Sequence, residues 1–327
     1  MRIFSGIRAT GEKTLGNYSG AYRQFLATQE RDDAFFCIVD LHSIDTVLEP
    51  EALHEATLDG AAMLYAVGLD PERSTIFVQS HVTAHAEAAW LLGAVTSFGE
   101  LRRMTQFKDK AAEQDFVSAG LFNYPVLMAG DILLYQADLV PVGDDQRQHV
   151  ELTRNVAERF NQRFGETFVV PQVSIPEQGA RIKNLQEPER LMSTSRGAPQ
   201  GVVRVLDPPD VVRKKFKTAV TDSGTDVRYA PDDKPGISNL LEIMSVATGD
   251  EISQLEARYD GGGYGRFKDE VAEAVVDLFT PVRARYEELR ADEPQLKTLL
   301  AHGAEKARKT SAPTLEAMYE GMGFVRP

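Results

Sequence analysis

Phosphate chemistry is the first thing the residues offer. In Phe4-Ser-Gly-Ile-Arg-Ala-Thr-Gly-Glu-Lys-Thr-Leu-Gly-Asn17, an apolar run through Ile3 and Phe4 reads as the end of a strand. Gly6 and Gly11 then punctuate a turn, and Thr14-Leu-Gly-Asn17 opens an amphipathic helix running to about Ala27. Glycine lets backbone approach a ligand closely, and the N–H groups and dipole of a helix start favour an anion. A second constellation lies in Tyr124-Pro-Val-Leu-Met-Ala-Gly-Asp-Ile-Leu-Leu-Tyr135. Tyr124, Met128 and Asp131 fall at i, i+4 and i+7 and share one helix face. Their neighbours are apolar, so Asp131 must be paired within the protein or bind something. Asp40-Leu-His42 and Gly143-Asp-Asp-Gln146 are two further polar groups, each placed where a strand ends.

The elements that would hold these groups alternate. Ala34–Asp40, Ser74–Gln79 and Leu139–Val142 read as short buried strands, and Glu51–Val67, His85–Val95, Tyr124–Tyr135 and Arg147–Phe164 as helices. Such βα alternation predicts a parallel sheet covered by helices, with ligands beyond the carboxyl ends of the strands. Ser5–Gly11, Asp40–His42 and Ser80–His81 lie at those ends. From Gly165 to Gly201 the sequence is irregular, and Leu191-Met-Ser-Thr-Ser195 reads as a mobile surface loop. Helices follow at about Pro208–Val220, Ile237–Thr248, Glu251–Tyr259, Tyr264–Asp292 and Leu296–Met322. The expected division is a Rossmann-like α/β domain over 1–200 and a mainly α-helical domain over 201–327. The C-terminal tail helix is a candidate to pack back on the first.

Composition narrows the function class. The chain has 327 residues, 43% hydrophobic and 26% charged, and a formal net charge of −13. That charge argues against whole-surface attraction to nucleic acid but leaves room for local basic patches. Two runs qualify: Arg102-Arg103 with Lys108 and Lys110, and Arg213-Lys214-Lys215-Phe216-Lys217. Cys37 is the sole cysteine, which excludes an intramolecular disulfide and a cysteine-based zinc site. His81 and His85 have helical ligand spacing but no third ligand in view, so no metal bound by protein side chains is expected. No apolar run is long enough for a bilayer, and Met1-Arg2-Ile3-Phe4 leads straight into strand-like sequence. A cytoplasmic location is expected.

Taken in order, these pieces resemble the bacterial tryptophanyl-tRNA synthetases, which are class I aminoacyl-tRNA synthetases. The residues carrying the resemblance are Phe4–Gly11, Thr14–Asn17, Phe36-Cys-Ile-Val-Asp-Leu-His42, Met104–Lys110, Tyr124–Tyr135, Val140-Pro-Val-Gly-Asp-Asp-Gln-Arg-Gln-His149, Ala219-Val-Thr-Asp-Ser223 and Pro235-Gly-Ile-Ser-Asn-Leu-Leu241. The resemblance implies activation of L-tryptophan by ATP to an adenylate, with Mg2+ accompanying ATP. Transfer to tRNA(Trp) follows, and the helical second domain is implied to bind the anticodon. It also implies a cytoplasmic homodimer with no prosthetic group. Thr14, Gly16 and Asn17 match the first class I signature and would cradle ATP. Arg8, Lys110, Gly143, Asp145, Gln146, Ile182 and Met192 would complete the ATP site. Catalysis is implied for Thr14, Asn17, Lys110, Ser193 and Ser195. Asp131 would accept the indole N–H. Phe4, Gly6, Met128, Ile132, Val140 and Val142 would line the tryptophan pocket, and His42, Tyr124 and Gln146 would face its polar end.

One departure stands out. The family's second signature is Lys-Met-Ser-Lys-Ser, but Leu191 and Thr194 stand where its lysines belong. Arg190, Arg196, Lys110 and Arg8 are candidates to supply the lost charge, and Arg213–Lys217 is a candidate for tRNA phosphate contact. The same loss admits another reading, a catalytically weakened paralogue that binds tryptophan as a sensor or accessory protein. Tyrosine specificity is disfavoured because Met128 and Val142 are apolar. Asp131→Asn or Asp131→Ala is expected to damage tryptophan activation far more than ATP binding. Selective tryptophan activation surviving in Asp131→Ala would refute the Asp131 assignment.

Overall fold

The computed structural model describes residues 1–9, 11, 13–44, 49–112, 116–174, 181–193 and 197–325, without the side chains of residues 110, 112 and 144. Its sheet comprises β1 (Arg2–Ile7), β2 (Asp33–Ile38), β3 (Ser74–Val78), β4 (Leu139–Pro141) and β5 (Gln172–Ser174). The order is β3-β2-β1-β4-β5 and every pairing is parallel. After β1 come α1 (Leu15–Asn17), a π-helical turn at Tyr18–Tyr22, and α2 (Arg23–Gln29). The first half continues with α3 (Pro50–Ala66), α4 (Ala84–Gly93), α5 (Phe98–Arg103), α6 (Thr105–Ala112), α7 (Ala119–Leu133) and α8 (Arg147–Phe164). The second half holds α9 (Pro209–Lys217), α10 (Pro235–Thr248), α11 (Ile252–Tyr259), α12 (Tyr264–Ala291) and α13 (Glu293–Gly321).

The sheet is buried on both faces, which is why its strands read as unbroken apolar runs. Along β2 the side chains alternate between two cores. Ala34, Phe36 and Ile38 join the core that includes α3 and α12, while Phe35 and Cys37 join the one formed with α4, α7, α8 and α13. The first core runs without a break from Ile38 and Leu64 to Val271 and Phe279. It therefore ties the sheet to the helical second half.

Strands β1 and β2 stay in register from Arg2↔Asp33 to Ile7↔Ile38, whereas β1 and β4 pair only at Ile3↔Leu139. Beyond that pair the two strands part. Pro141 is tolerated in β4 because no β1 residue is paired with it there. The chain leaves β1 towards β2 on one side and β4 on the other, so the parting is the topological switch point.

Four local expectations need correction. The helix read as Tyr124–Tyr135 begins earlier, at Ala119, with Ser118 accepting the Leu121 N–H. Pro125 consequently lies inside α7. The stretch read as irregular contains β5, only three residues long and therefore without readable periodicity. The first helix is interrupted by its π turn. Leu191 and Met192 are not simply loop: Leu191 bridges Lys183, and Met192 is buried. Thr194–Arg196 lie outside the described residues.

Helix α13 covers the edge strand β3, which would otherwise offer a template for unwanted pairing. The approach depends on Gly303, where an added Cβ would overlap the Ile76 carbonyl oxygen. Gly303→Ala is expected to lower stability by about 1–3 kcal/mol or more through this overpacking. Urea unfolding measures it, and an unchanged midpoint would show that the helix can shift freely.

Candidate active site

At the glycine turn, local chemistry sets the helix start. Thr14 and Asn17 form a capping box: Thr14 Oγ1 accepts the Asn17 N–H at 3.2 Å, and Asn17 Oδ1 accepts the Thr14 N–H at 2.9 Å. The carboxamide oxygen of Asn17 is thereby committed, which leaves its amide as the donor for a ligand. Thr14 is 2% exposed and bridges Arg204, while the Leu15 N–H donates to the Val203 carbonyl at 2.9 Å. The corner is thus anchored to the chain that enters the helical half. At Gly16 a Cβ would lie 3.4 Å from Thr14 Oγ1 and 3.5 Å from the Met192 carbonyl, in ordinary contact with both. Gly11 sits at φ +94°, a conformation that favours glycine. Arg8 is exposed and Lys13 donates to its carbonyl at 3.3 Å. Burial and the neighbouring Arg8 charge push the Lys13 ammonium below its ordinary value.

Behind the switch point lies the most polar spot in the core. Asp131 is 1% exposed, and three donors meet it. Gln79 Nε2 donates to Oδ1 at 2.7 Å, His85 Nδ1 lies 2.6 Å from Oδ1, and His42 Nε2 lies 2.8 Å from Oδ2. His85 Nε2 meets the Tyr135 hydroxyl at 2.8 Å. The consistent tautomer has His85 Nδ1–H donating to Asp131 and Tyr135 O–H donating to His85. Burial pushes the Asp131 carboxyl up, but the hydrogen bonds from His42 and His85 outweigh it and hold the group well below the usual carboxylate range. A carboxylate accepts at about four lone-pair positions. Oδ1 is filled by two donors, whereas Oδ2 has one and keeps room for a ligand N–H.

The remaining residues surround this carboxylate unevenly. Phe4 is 2% exposed and stacks on Tyr135 at 5.5 Å. Val140 and Ile132 are buried, and Met128 and Val142 pack half-buried against the same core. The Tyr124 hydroxyl lies 2.6 Å from His149 Nε2, and its ring meets the His42 ring edge-on at 6.1 Å. Burial pushes the Tyr124 phenol up to about 12, with Arg8 opposing and Asp145 adding to the rise. Arg8, Asp145 and Tyr124 therefore share one electrostatic neighbourhood. Gln146 donates to Asp145 at 2.8 Å, and a Cβ at Gly143 would press on Asp145 Oδ1. A Cβ at Gly6 would meet a Val39 methyl at 3.3 Å, a tight contact that Val39 would have to ease.

The second signature lies alongside the first. Ile182 and Met192 are buried, and the Met192 sulfur accepts the Val203 N–H at 3.4 Å. Ser193 is half-buried, while Ser195 lies outside the described residues, as does the side chain of Lys110 on α6. Arg190 stands 3.9 Å from Glu187. The basic run on α9 is largely committed: Arg213 pairs with Glu273 at 2.6 Å, and Lys215 with Asp207 at 2.6 Å. Lys214 and Lys217 are exposed.

Three residues escaped the sequence reading: Gln79, His85 and Tyr135. The spacing presents His85 only as half of a metal pair with His81, yet its ring faces Asp131. Among the described residues no cluster of three His, Cys, Asp or Glu side chains could hold a metal ion. The usable signal was the apolar setting of Asp131, which demands buried donors on facing elements.

The family described as class I tRNA synthetases (W and Y) matches residues 1–280. The chain is 53% identical to tryptophan–tRNA ligase 2 of Streptomyces avermitilis, covering 99% of this chain and 97% of that one. It is 52% identical to tryptophan–tRNA ligase of Listeria monocytogenes, covering 99% and 98%. The structure is similar to that of tryptophanyl-tRNA synthetase from Campylobacter jejuni complexed with ADP and tryptophan. There the TM-score is 0.87 at 34% identity, with 99% of this chain and 100% of that chain covered.

Tyr135→Phe leaves His85 Nε2 buried without its partner. The expected loss of stability is about 1–3 kcal/mol, read from urea unfolding. An unchanged stability would mean that the phenol does not orient His85.

Proposed function

The chain belongs to the class I tRNA synthetases for tryptophan and tyrosine, and from that premise we propose that it activates L-tryptophan with ATP and charges tRNA(Trp). The observation that carries the amino-acid choice is Asp131, a buried carboxylate with one acceptor position left for a ligand N–H. An indole fills that position. Phenylalanine leaves it unpaired, and sites of this kind discriminate by roughly 10⁴ or more. Met128, Val140 and Val142 supply apolar contact for the ring. Tyr124, His42 and Gln146 serve the ammonium and carboxylate end.

In the first step a tryptophan carboxylate oxygen attacks the α-phosphorus of ATP. The bond from that phosphorus to the bridging oxygen breaks, and pyrophosphate leaves with the electron pair. Side chains need form no covalent bond, so positioning and charge stabilisation carry the rate. Gly16 and the Asn17 amide approach the phosphates, with Thr14 holding Asn17 in place. Arg8, Lys110, Ser193 and Ser195 act on the phosphate side, and the backbone of Ile182 and Met192 borders the nucleotide. Gly143, Asp145 and Gln146 receive the ribose and the amino acid. Mg2+ accompanies ATP and supplies further neutralisation of the phosphates.

The division into a catalytic 1–200 and an anticodon-binding 201–327 belongs to the same reading. Lys214 and Lys217 are then the members of the α9 run that face tRNA phosphate. A homodimer and a cytoplasmic location complete it. Trp90 and Phe98, exposed on α4 and α5 at 85% and 69%, are apolar surface for a second copy to cover. No helix among the described residues is long and apolar enough to cross a membrane.

The deciding measurement is tryptophan-dependent ATP–pyrophosphate exchange followed by charging of tRNA(Trp). Both are expected. Tryptophan binding without exchange would favour the sensor reading, which the missing lysines at positions 191 and 194 otherwise motivate.

A further inference from the structure

Leu191 and Thr194 leave the second signature without its usual cations, yet Lys183 faces Leu191 directly. The two form an isolated antiparallel bridge. Its flanking hydrogen bonds run from the Asn184 N–H to the Arg190 carbonyl at 2.9 Å and from the Met192 N–H to the Ile182 carbonyl at 3.0 Å. That pattern makes Lys183 and Leu191 a non-hydrogen-bonded pair. In such pairs the Cα atoms approach to about 4.5 Å and both side chains leave the same face of the ribbon.

The face is identifiable. Ile182 and Met192, one residue to either side, are 2% and 8% exposed and turn into the core. Leu191, by contrast, is 49% exposed, so the pair turns outward. Met192 also fixes where this ribbon lies, because its carbonyl stands 3.5 Å from the Cβ position of Gly16. The Lys183–Leu191 ledge therefore begins one residue from the contact with the Thr14–Asn17 corner.

The backbone of Lys183 is clamped. Its N–H donates to Asn239 Oδ1 at 2.7 Å, and its carbonyl accepts from Asn239 Nδ2 at 3.1 Å. Asn239 is 3% exposed, so the clamp is protected from water. The Lys183 ammonium itself has no hydrogen bond or ion pair among the described residues. The other cation near the bridge, Arg190, reaches Glu187 instead.

We propose that Lys183 is a catalytic residue, whose ammonium fills the space that a lysine at position 191 would occupy and neutralises the phosphates of ATP. The inference rests on the synthetase reading above. Lys183 forms and breaks no bond in this step. It screens the charge that collects on pyrophosphate as the bond to the α-phosphorus breaks, and its methylene stem lies along Leu191. A missing lysine on one strand is thus replaced by a lysine on the strand opposite.

The test is ATP–pyrophosphate exchange in Lys183→Met and in the double variant Lys183→Met with Leu191→Lys. Lys183→Met is expected to lower kcat by about 10²–10³, as for other preorganised charge donors, with the KM for tryptophan unchanged. The double variant returns the charge across the bridge and is expected to recover most of that loss. Wild-type kcat in Lys183→Met would overturn the proposal. So would a double variant no faster than Lys183→Met while still binding tryptophan in equilibrium dialysis. Absence of exchange in the unaltered protein would instead sink the synthetase reading itself.

Discussion

The early parting of β1 from β4 is the constraint on which the rest of the site depends. One pair, Ile3↔Leu139, joins them. Everything beyond it is strand end with no neighbour on that side. Backbone that would otherwise be satisfied by a ladder is left for turns, helix starts and ligands. Gly6, Gly11 and Gly16 follow on the β1 side, Pro141 and Gly143 on the β4 side. Proline and glycine are poor residues for a central strand and good ones for a crevice. Their concentration here reflects where pairing stops.

The crevice is floored by a costly group. An unpaired carboxylate in such a core would be neutralised rather than buried charged. Here α4 brings His85, the turn after β3 brings Gln79, and the turn after β2 brings His42. All three lie far from Asp131 in sequence, which makes the arrangement a tertiary one. The parts must be packed before the charge is tolerable, so the pocket is preorganised by the fold. Preorganised dipoles need no rearrangement during reaction. The phosphate corner follows the same logic, since Thr14 and Leu15 are tied to Arg204 and Val203 across the molecule.

Much of this was legible in the sequence, and for separable reasons. Parallel strands buried on both faces announce themselves as apolar runs, so β2 and β3 were visible. The i, i+4, i+7 spacing placed Tyr124, Met128 and Asp131 together because helix geometry is local. The three-residue β5 was not legible, since so short a strand carries no period. The donors behind Asp131 were invisible as partners: nothing in the spacing of Gln79, His85 and Tyr135 says that they converge. The bridge between Lys183 and Leu191 was hidden likewise, because pairing within an irregular segment leaves no pattern in composition.

The placement of Trp90 has an optical consequence. It is the only tryptophan in the chain and projects from α4 into solvent, while His85 on the same helix reaches Asp131 from the inner side. Intrinsic emission from the protein therefore originates outside the pocket, on the far surface of a helix whose near surface supports it. A change in that emission when ATP or an indole-free inhibitor binds reports movement or covering of α4, and not quenching by direct contact. The chain thus carries a built-in probe for whether events at the carboxylate are felt on the exterior.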